Sequence, residues 1–194
     1  MRSIRQPPMS ASPFHVQTWT GAEFAGRVDD AMAIYVQAMQ YPAHAATQRA
    51  VTAKRHVRNS GFDCRVAFLA DGTLAGFGYG YTTASGQWWH DLVRRALPAD
   101  LAASWMHDAF ELSELHVLPS CQGYGIGRRV LVELAGALPH RTMLLSTPDA
   151  DTRAFRLYHD LGFVDLRRQY LFPGDTRPFA VLGAALPLVA PPGA

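Results

Sequence analysis

ELSELHVLPSCQGYGIGRR (Glu111–Arg129) is the stretch on which the fold turns. It reads as a strand from Glu111 to Val117, ended by Pro119, then a turn with glycines at 123, 125 and 127. A helix follows, with Val130, Leu131, Leu134 and Leu138 on one face. Glycine reaches positive φ and lets the backbone come close to an anion. The start of a helix presents unpaired N–H groups at the positive end of its dipole. The combination is a cradle for a phosphate or pyrophosphate, with Arg128 and Arg129 at its rim. A P-loop requires Lys and then Ser or Thr after the last glycine, where this chain has Arg128-Arg129. A dinucleotide fingerprint spaces its glycines G-x-G-x-x-G, and here the run is G-x-G-x-G, mid-chain. ATP and NAD are therefore disfavoured.

Working outward, the run from Thr142 to Thr147 reads as the next strand. Asp151 to Leu161 reads as a helix with Ala154, Leu157, Tyr158 and Leu161 on one face. Two closing strands, 164–172 and 179–186, flank the Pro173-Gly174-Asp175 turn. Upstream, His15 to Trp19 is a short strand, and Phe24, Val28, Ala31/Met32, Tyr35 and Met39 predict one helix over 22–40. A more solvated helix covers 44–58. Phe62–Ala70 and Thr73–Thr83 form a hairpin across Asp71-Gly72. Residues 84–107, with Trp88, Trp89 and Trp105, read as helical or irregular. The order is β, two helices, hairpin, βαβα and a last hairpin, which predicts an α/β class with a mixed sheet in a single domain over 14–186. Residues 1–13 and 187–194, rich in Pro, Ser, Gly and Ala, read as loose tails.

The 194 residues suit one domain. With 18 basic residues against 16 acidic, no nucleic-acid footprint stands out. Cys64 and Cys121 are too few for a disulfide framework, and no His or Cys spacing predicts a metal site. The N-terminus has no apolar segment of the signal-peptide kind, and Val181–Ala190 is far short of the roughly 20 residues of a membrane helix. A cytoplasmic location, with neither membrane nor nucleic acid as partner, is the expectation. Homodimer pairing through the apolar last strands stays open.

Gln122-x-x-Gly125-x-Gly127, following a Val-x-Pro strand end, resembles the acyl-CoA pyrophosphate loop of the GNAT N-acetyltransferase superfamily. Asp151-x-x-Ala154-x-x-Leu157-Tyr158-x-x-x-Gly162-Phe163 is similar to that family's following helix, in which Asn often stands at the first position. Asp caps a helix as well as Asn does. The motifs span about 111–165, and the element order extends the likeness to about 14–186. The 84–108 segment is longer than the family's usual connection between its third and fourth strands.

The resemblance implies a sheet splayed between the fourth and fifth strands and transfer of an acetyl group from acetyl-CoA, as co-substrate, to a primary amine of a small molecule or peptide. It implies that the pantetheine arm pairs with the strand around Leu115, His116 and Val117 to Leu118. Backbone amides of Gln122, Gly123, Tyr124, Gly125, Ile126, Gly127 and Arg128 would hold the pyrophosphate. An ammonium must lose a proton before it attacks the thioester, which calls for a base. The resemblance points to Glu111, favoured over Glu114 and over a water. Alternation along a strand sets those two on opposite faces unless a bulge intervenes. Tyr158 stands at the family's general-acid position, where it would protonate the departing thiolate. The alternatives are a non-catalytic acyl-CoA sensor and transfer of a larger acyl group.

Other side chains rank lower. A lone strand histidine such as His116 is more often a satisfied structural residue, and Cys121 reads as inert. Trp88 and Trp89, with Tyr35, are candidates for the wall of an acceptor pocket, with packing of the 84–108 segment as the competing reading. Arg49, Lys54, Arg55 and Arg58 read as a solvated helix face.

Overall fold

The computed structural model describes residues 13–188. The chain runs β1 (Phe14–Trp19), α1 (Gly21–Gly26), α2 (Val28–Met39), α3 (His44–His56), β2 (Asp63–Leu69), β3 (Leu74–Thr82), α4 (Trp88–Ala96) and α5 (Ala99–Met106). It continues through β4 (Ala109–Val117), α6 (Ile126–Gly136), β5 (Thr142–Pro148), α7 (Arg153–Asp160), β6 (Val164–Tyr170) and β7 (Phe179–Ala185). One seven-stranded sheet has the order β1-β2-β3-β4-β5-β7-β6, antiparallel throughout except for β4–β5.

Local chemistry accounts for most of these boundaries. Thr20 caps α1 in a reciprocal box with Glu23, whose carboxylate accepts from the Thr20 amide at 2.7 Å. The expected single helix over 22–40 is in fact two. Gly26 is a poor helix former, and Arg27 leaves helical backbone at φ −121° while its guanidinium lies 4.6 Å from the Trp19 ring. The chain then re-enters a helix with Asp29 and Asp30 in its first turn. At the β2–β3 turn, the Asp71 carboxylate accepts from the Thr73 amide at 2.9 Å, and Gly72 has φ +84°.

The strand register assigns the helices to faces. Tyr81 pairs with Glu111, which pairs with Leu144, so all three point the same way. On that side α1–α3 pack Phe24 and Met32 against Phe77 and Tyr79, while α4 and α5 pack Trp89, Val93 and Met106 against Leu144 and Val181. The 84–108 segment is thus a helical cover over β5 and β7. On the other side α6 and α7 bring Leu131, Leu134 and Tyr158 against Phe110, Met143 and Leu182. Leu186 and Leu188 pack on this second cluster. Residues 1–12 and 189–194 of the expected tails lie outside the described residues. β7 sits between β5 and β6, paired on both edges. Its apolar run is therefore buried within the chain.

Two irregularities shape the second half of β4. Its parallel pairing with β5 covers only Ala109–Glu111 against Thr142–Leu144, and beyond that point the strands part. On its other edge Tyr79 opposes Glu114 while Gly80 opposes Leu112, so Ser113 is a bulged extra residue. Gly80 is where the backbones meet. A Cβ there would lie 2.0 Å from the Glu111 carbonyl oxygen and 2.4 Å from the Phe110 ring. Gly80→Ala is expected to destabilise by about 1–3 kcal/mol or more, read as a lower midpoint of urea unfolding. A midpoint equal to that of the unsubstituted protein would contradict this packing.

Candidate active site

The bulge decides the site. With Ser113 inserted, Glu111, Ser113, Glu114 and His116 all face α2 and α3, while Leu112 packs with the α6–α7 core. The two carboxylates expected on opposite faces therefore lie together, and a bulge is the physical reason. They are nonetheless in opposite states. Glu111 is buried, its Oε1 accepts from the Tyr81 hydroxyl at 3.0 Å, and its Oε2 has no partner among the described residues. Loss of water pushes its pKa up to about 8, against the smaller pull of Tyr81 and Arg49. Burial would raise Glu114 too, but Arg49 and His116 outweigh it and hold the group down at about 2. Arg49 Nε donates to Glu114 Oε1, and His116 Nε2 lies 2.5 Å from Oε2. One carboxyl is kept neutral and the other ionised by environment alone.

Arg49 is the main correction to the sequence reading. It is not on a solvated face: it reaches from α3 to β4, with its guanidinium 6.0 Å from the Tyr35 ring. Ala46, Ala50, Ala53 and Val57 form the inward stripe of α3, and position 49 lies beside it. That offset was the available signal. His116 is satisfied, as a lone strand histidine usually is, and packs 5.1 Å from Tyr35 and 5.6 Å from Phe77.

The strand end and glycine turn form the other part of the site. After a 3₁₀ turn at Pro119–Cys121, the Gln122 side-chain amide donates to the Val117 carbonyl at 3.2 Å. Gly123 and Gly125 take φ +89° and +82°, and Gly125 caps α6 without a side-chain bond. The amides of Ile126, Gly127 and Arg128 therefore open the helix with no intrahelical acceptor. Ile126 itself is buried beside Gly76, so only its backbone is offered. A Cβ at Gly127 would meet only ordinary contacts from Val117 and Leu157. The Tyr124 side chain is 69% exposed and does not line the cleft, so this residue offers the turn only its backbone amide. The two rim arginines also have partners, Arg128 with Asp160 at 3.2 Å and Arg129 with Glu133 at 2.5 Å.

Where β4 and β5 part, a cleft of about 1430 Å³ runs from the glycine turn past Leu115 and Val117 to Glu111 and Glu114. Tyr158, expected as an acid, lines it from α7. Burial raises its pKa, with Glu114 adding to the effect, so the hydroxyl keeps its proton at neutral pH. Tyr35, Trp88 and Trp89 also line it. Trp88 is 61% exposed, whereas Trp89 is buried and its Nε1 donates to Ser146 Oγ at 3.0 Å, so Trp89 packs as well as lines. The β6–β7 turn, including Phe172, Asp175 and Arg177, closes the far wall. Sequence reasoning missed that turn, because only tertiary folding brings it to the cleft.

Comparison with known proteins agrees with this geometry. The model of the Acetyltransferase (GNAT) family matches residues 28–163. The GCN5-like protein acetyltransferase Rv2170 of Mycobacterium tuberculosis is 38% identical over 191 residues, covering 84% of this chain and 93% of that protein. The fold is shared with solved structures, of which two serve as examples. The ribosomal-protein-S18-alanine N-acetyltransferase of Escherichia coli has TM-score 0.62 and 16% identity, covering 93% of this chain and 98% of its own. The yncA protein of Salmonella typhimurium, solved with its cofactor acetyl-CoA, has TM-score 0.60 and 17% identity, covering 94% and 99%.

Proposed function

The chain belongs to the acetyltransferase (GNAT) family, and on that premise we propose that it transfers an acetyl group from acetyl-CoA to a primary amine of a small molecule or peptide. The observation that carries this reading is the unpartnered Oε2 of Glu111 at the point where β4 and β5 part. A buried carboxyl oxygen without a donor is costly unless something in the cleft uses it.

The residues present fit acetyl-CoA. Amides from Gly123 to Arg128, at a helix start behind two positive-φ glycines, suit a pyrophosphate, while the Gln122 amide is already given to the Pro119 carbonyl at 3.4 Å. The β4 edge from Leu115 to Val117, which β5 leaves unpaired, suits an extended amide-bearing arm. When bound, acetyl-CoA supplies the thioester carbonyl. Glu111, once ionised, takes a proton from the incoming ammonium, directly or across a water, and frees the nitrogen lone pair. The new C–N bond forms as the C–S bond breaks; the Tyr158 hydroxyl gives its proton to the departing sulfur, and the second proton shed by the acetylated nitrogen returns to the Tyr158 oxygen, directly or across a water. Holding donor and acceptor in one cleft makes a two-body reaction a positioned one, so no covalent enzyme intermediate is needed.

Thermal melting with nucleotides tests the reading. Acetyl-CoA and CoA at 100 times their Kd are expected to add about 2.7 kcal/mol of stability, seen as a higher Tm. NAD and ATP are expected to add none. Stabilisation by NAD and not by CoA would remove the pyrophosphate assignment. CoA binding without thiol release across an amine panel would leave a sensor rather than an enzyme.

A further inference from the structure

We infer that the acceptor this cleft selects is an amine accompanied by a nearby anionic group, and not a polyamine or an amine set among basic residues. The inference rests on the amine-acetylation reading and narrows it.

The charge balance at the acceptor end of the cleft carries it. Three carboxyl groups line the cavity: Glu111, Glu114 and Asp175. Each is already engaged. Glu114 is held by Arg49 and His116. Asp175 accepts from the Arg177 amide at 2.9 Å, from Nε at 3.0 Å and, through its second oxygen, from Nη2 at 2.7 Å. Glu111 faces Tyr81, and burial keeps it protonated at neutral pH. No carboxylate among these is left to receive a second cation on the acceptor.

The positive side is different. Arg55 projects from α3 into the cleft lining, and it forms no ion pair among the described residues. Its one hydrogen bond is a long 3.5 Å contact to Thr52 Oγ1. The Arg177 guanidinium, 5.7 Å from the Tyr41 ring and 5.6 Å from Phe179, lines the same space, but its charge is spent on Asp175, so it adds to the wall rather than to the free positive charge. Trp88 and Phe172, with rings 5.7 Å apart, add an apolar wall to the same cleft. A ligand that suits these walls places its amine at Glu111 and a carboxylate or phosphate toward Arg55. A polyamine would instead set its remaining ammonium groups against Arg55 with nothing to neutralise them.

The test compares kcat/KM for matched acceptors with saturating acetyl-CoA at low salt. One arm uses peptides identical except that the central lysine is flanked by Asp and Glu, by Ala and Ser, or by Lys and Arg. The other arm uses small molecules, an ω-amino acid against spermidine. The acidic acceptors are expected to lead the basic ones by at least about fivefold, with the margin shrinking as salt rises. Whichever arm gives the larger kcat/KM identifies the source of the anionic group. Arg55→Gln is expected to flatten the preference and Arg55→Glu to invert it, with the KM for acetyl-CoA unchanged. Faster turnover of spermidine or of the basic peptide, or a preference that Arg55→Glu leaves in place, would overturn the inference while acetylation stands. Acetyl-CoA binding with no turnover of any acceptor would overturn the acetylation reading, and this inference with it.

Discussion

Replacing Glu111 by glutamine is expected to lower kcat by about 10²–10⁴-fold while the KM for acetyl-CoA stays as it was. The amide keeps the shape and the contact with Tyr81 but cannot accept a proton. The unsubstituted protein should show a kcat/KM that climbs with pH through an inflection near 8, because Glu111 must ionise before it can serve as base. In Glu111→Gln that inflection should vanish. Stability gives a second, independent reading. The folded pKa of Glu111 is raised from 4.5 to about 8, so between those values the folded state holds a proton that the unfolded chain has lost. The stabilisation associated with the neutral carboxyl is complete below about pH 4.5 and disappears as pH rises through about 8. At 1.36 kcal/mol per unit, it is on the order of 5 kcal/mol. The Tm of the unsubstituted protein should therefore fall between pH 5 and 8, and the Tm of Glu111→Gln should be flatter across that window. Glu114 does not blur the comparison. Its folded pKa is depressed to about 2, so its contribution is present above about pH 4.5 and is lost only as pH falls towards 2. Full activity in Glu111→Gln, with an unchanged pH profile, would assign the base elsewhere.

What could be read beforehand divides along a physical line. The glycine turn at 123–127, the helix of Tyr158 and the Asp71-Gly72 hairpin are specified within a few residues. Positive φ, helical period and side-chain capping are local properties, and they left local marks. The break at Arg27 left a fainter one, because Gly26 alone does not end a helix whose apolar stripe continues into Met32. The bulge at Ser113 left none. It exists because β3 brings Gly80 against the Glu111 carbonyl, a contact between residues 31 apart in the chain. The pairing of the two glutamates and the recruitment of Arg49 both depend on that contact. Neither could be legible before the sheet was assembled. The far wall formed by Phe172, Asp175 and Arg177 is of the same kind, since the β6–β7 turn reaches the cleft only because β7 inserts between β5 and β6.

The ion pair between Arg49 and Glu114 is where stability and catalysis meet, and Arg49→Met should disturb both. Glu114 is only 7% exposed and its charge is compensated chiefly by Arg49. Removing one partner of such a pair leaves a buried carboxylate without its cation, at a cost of about 3–5 kcal/mol. For a chain of this length, each kcal/mol moves Tm by roughly 2–4 °C. The loss should be larger at pH 8 than at pH 5. Without Arg49 the folded pKa of Glu114 moves up, so the charge that Glu114 still carries in the folded chain at pH 8 costs more than the largely protonated group does at pH 5. Arg49→Met/Glu114→Gln should recover most of the loss, because two neutral side chains leave no charge to compensate. The kinetic effect comes from the same electrostatics. Arg49 draws the Glu111 pKa down, and the Glu114 charge pushes it up. In Arg49→Met the first influence is gone, so the kcat/KM inflection should move above 8. In the double variant, which loses both, it should return towards the original position. A single variant that melts with the unsubstituted protein and keeps its inflection would show that the two glutamates are not coupled through Arg49.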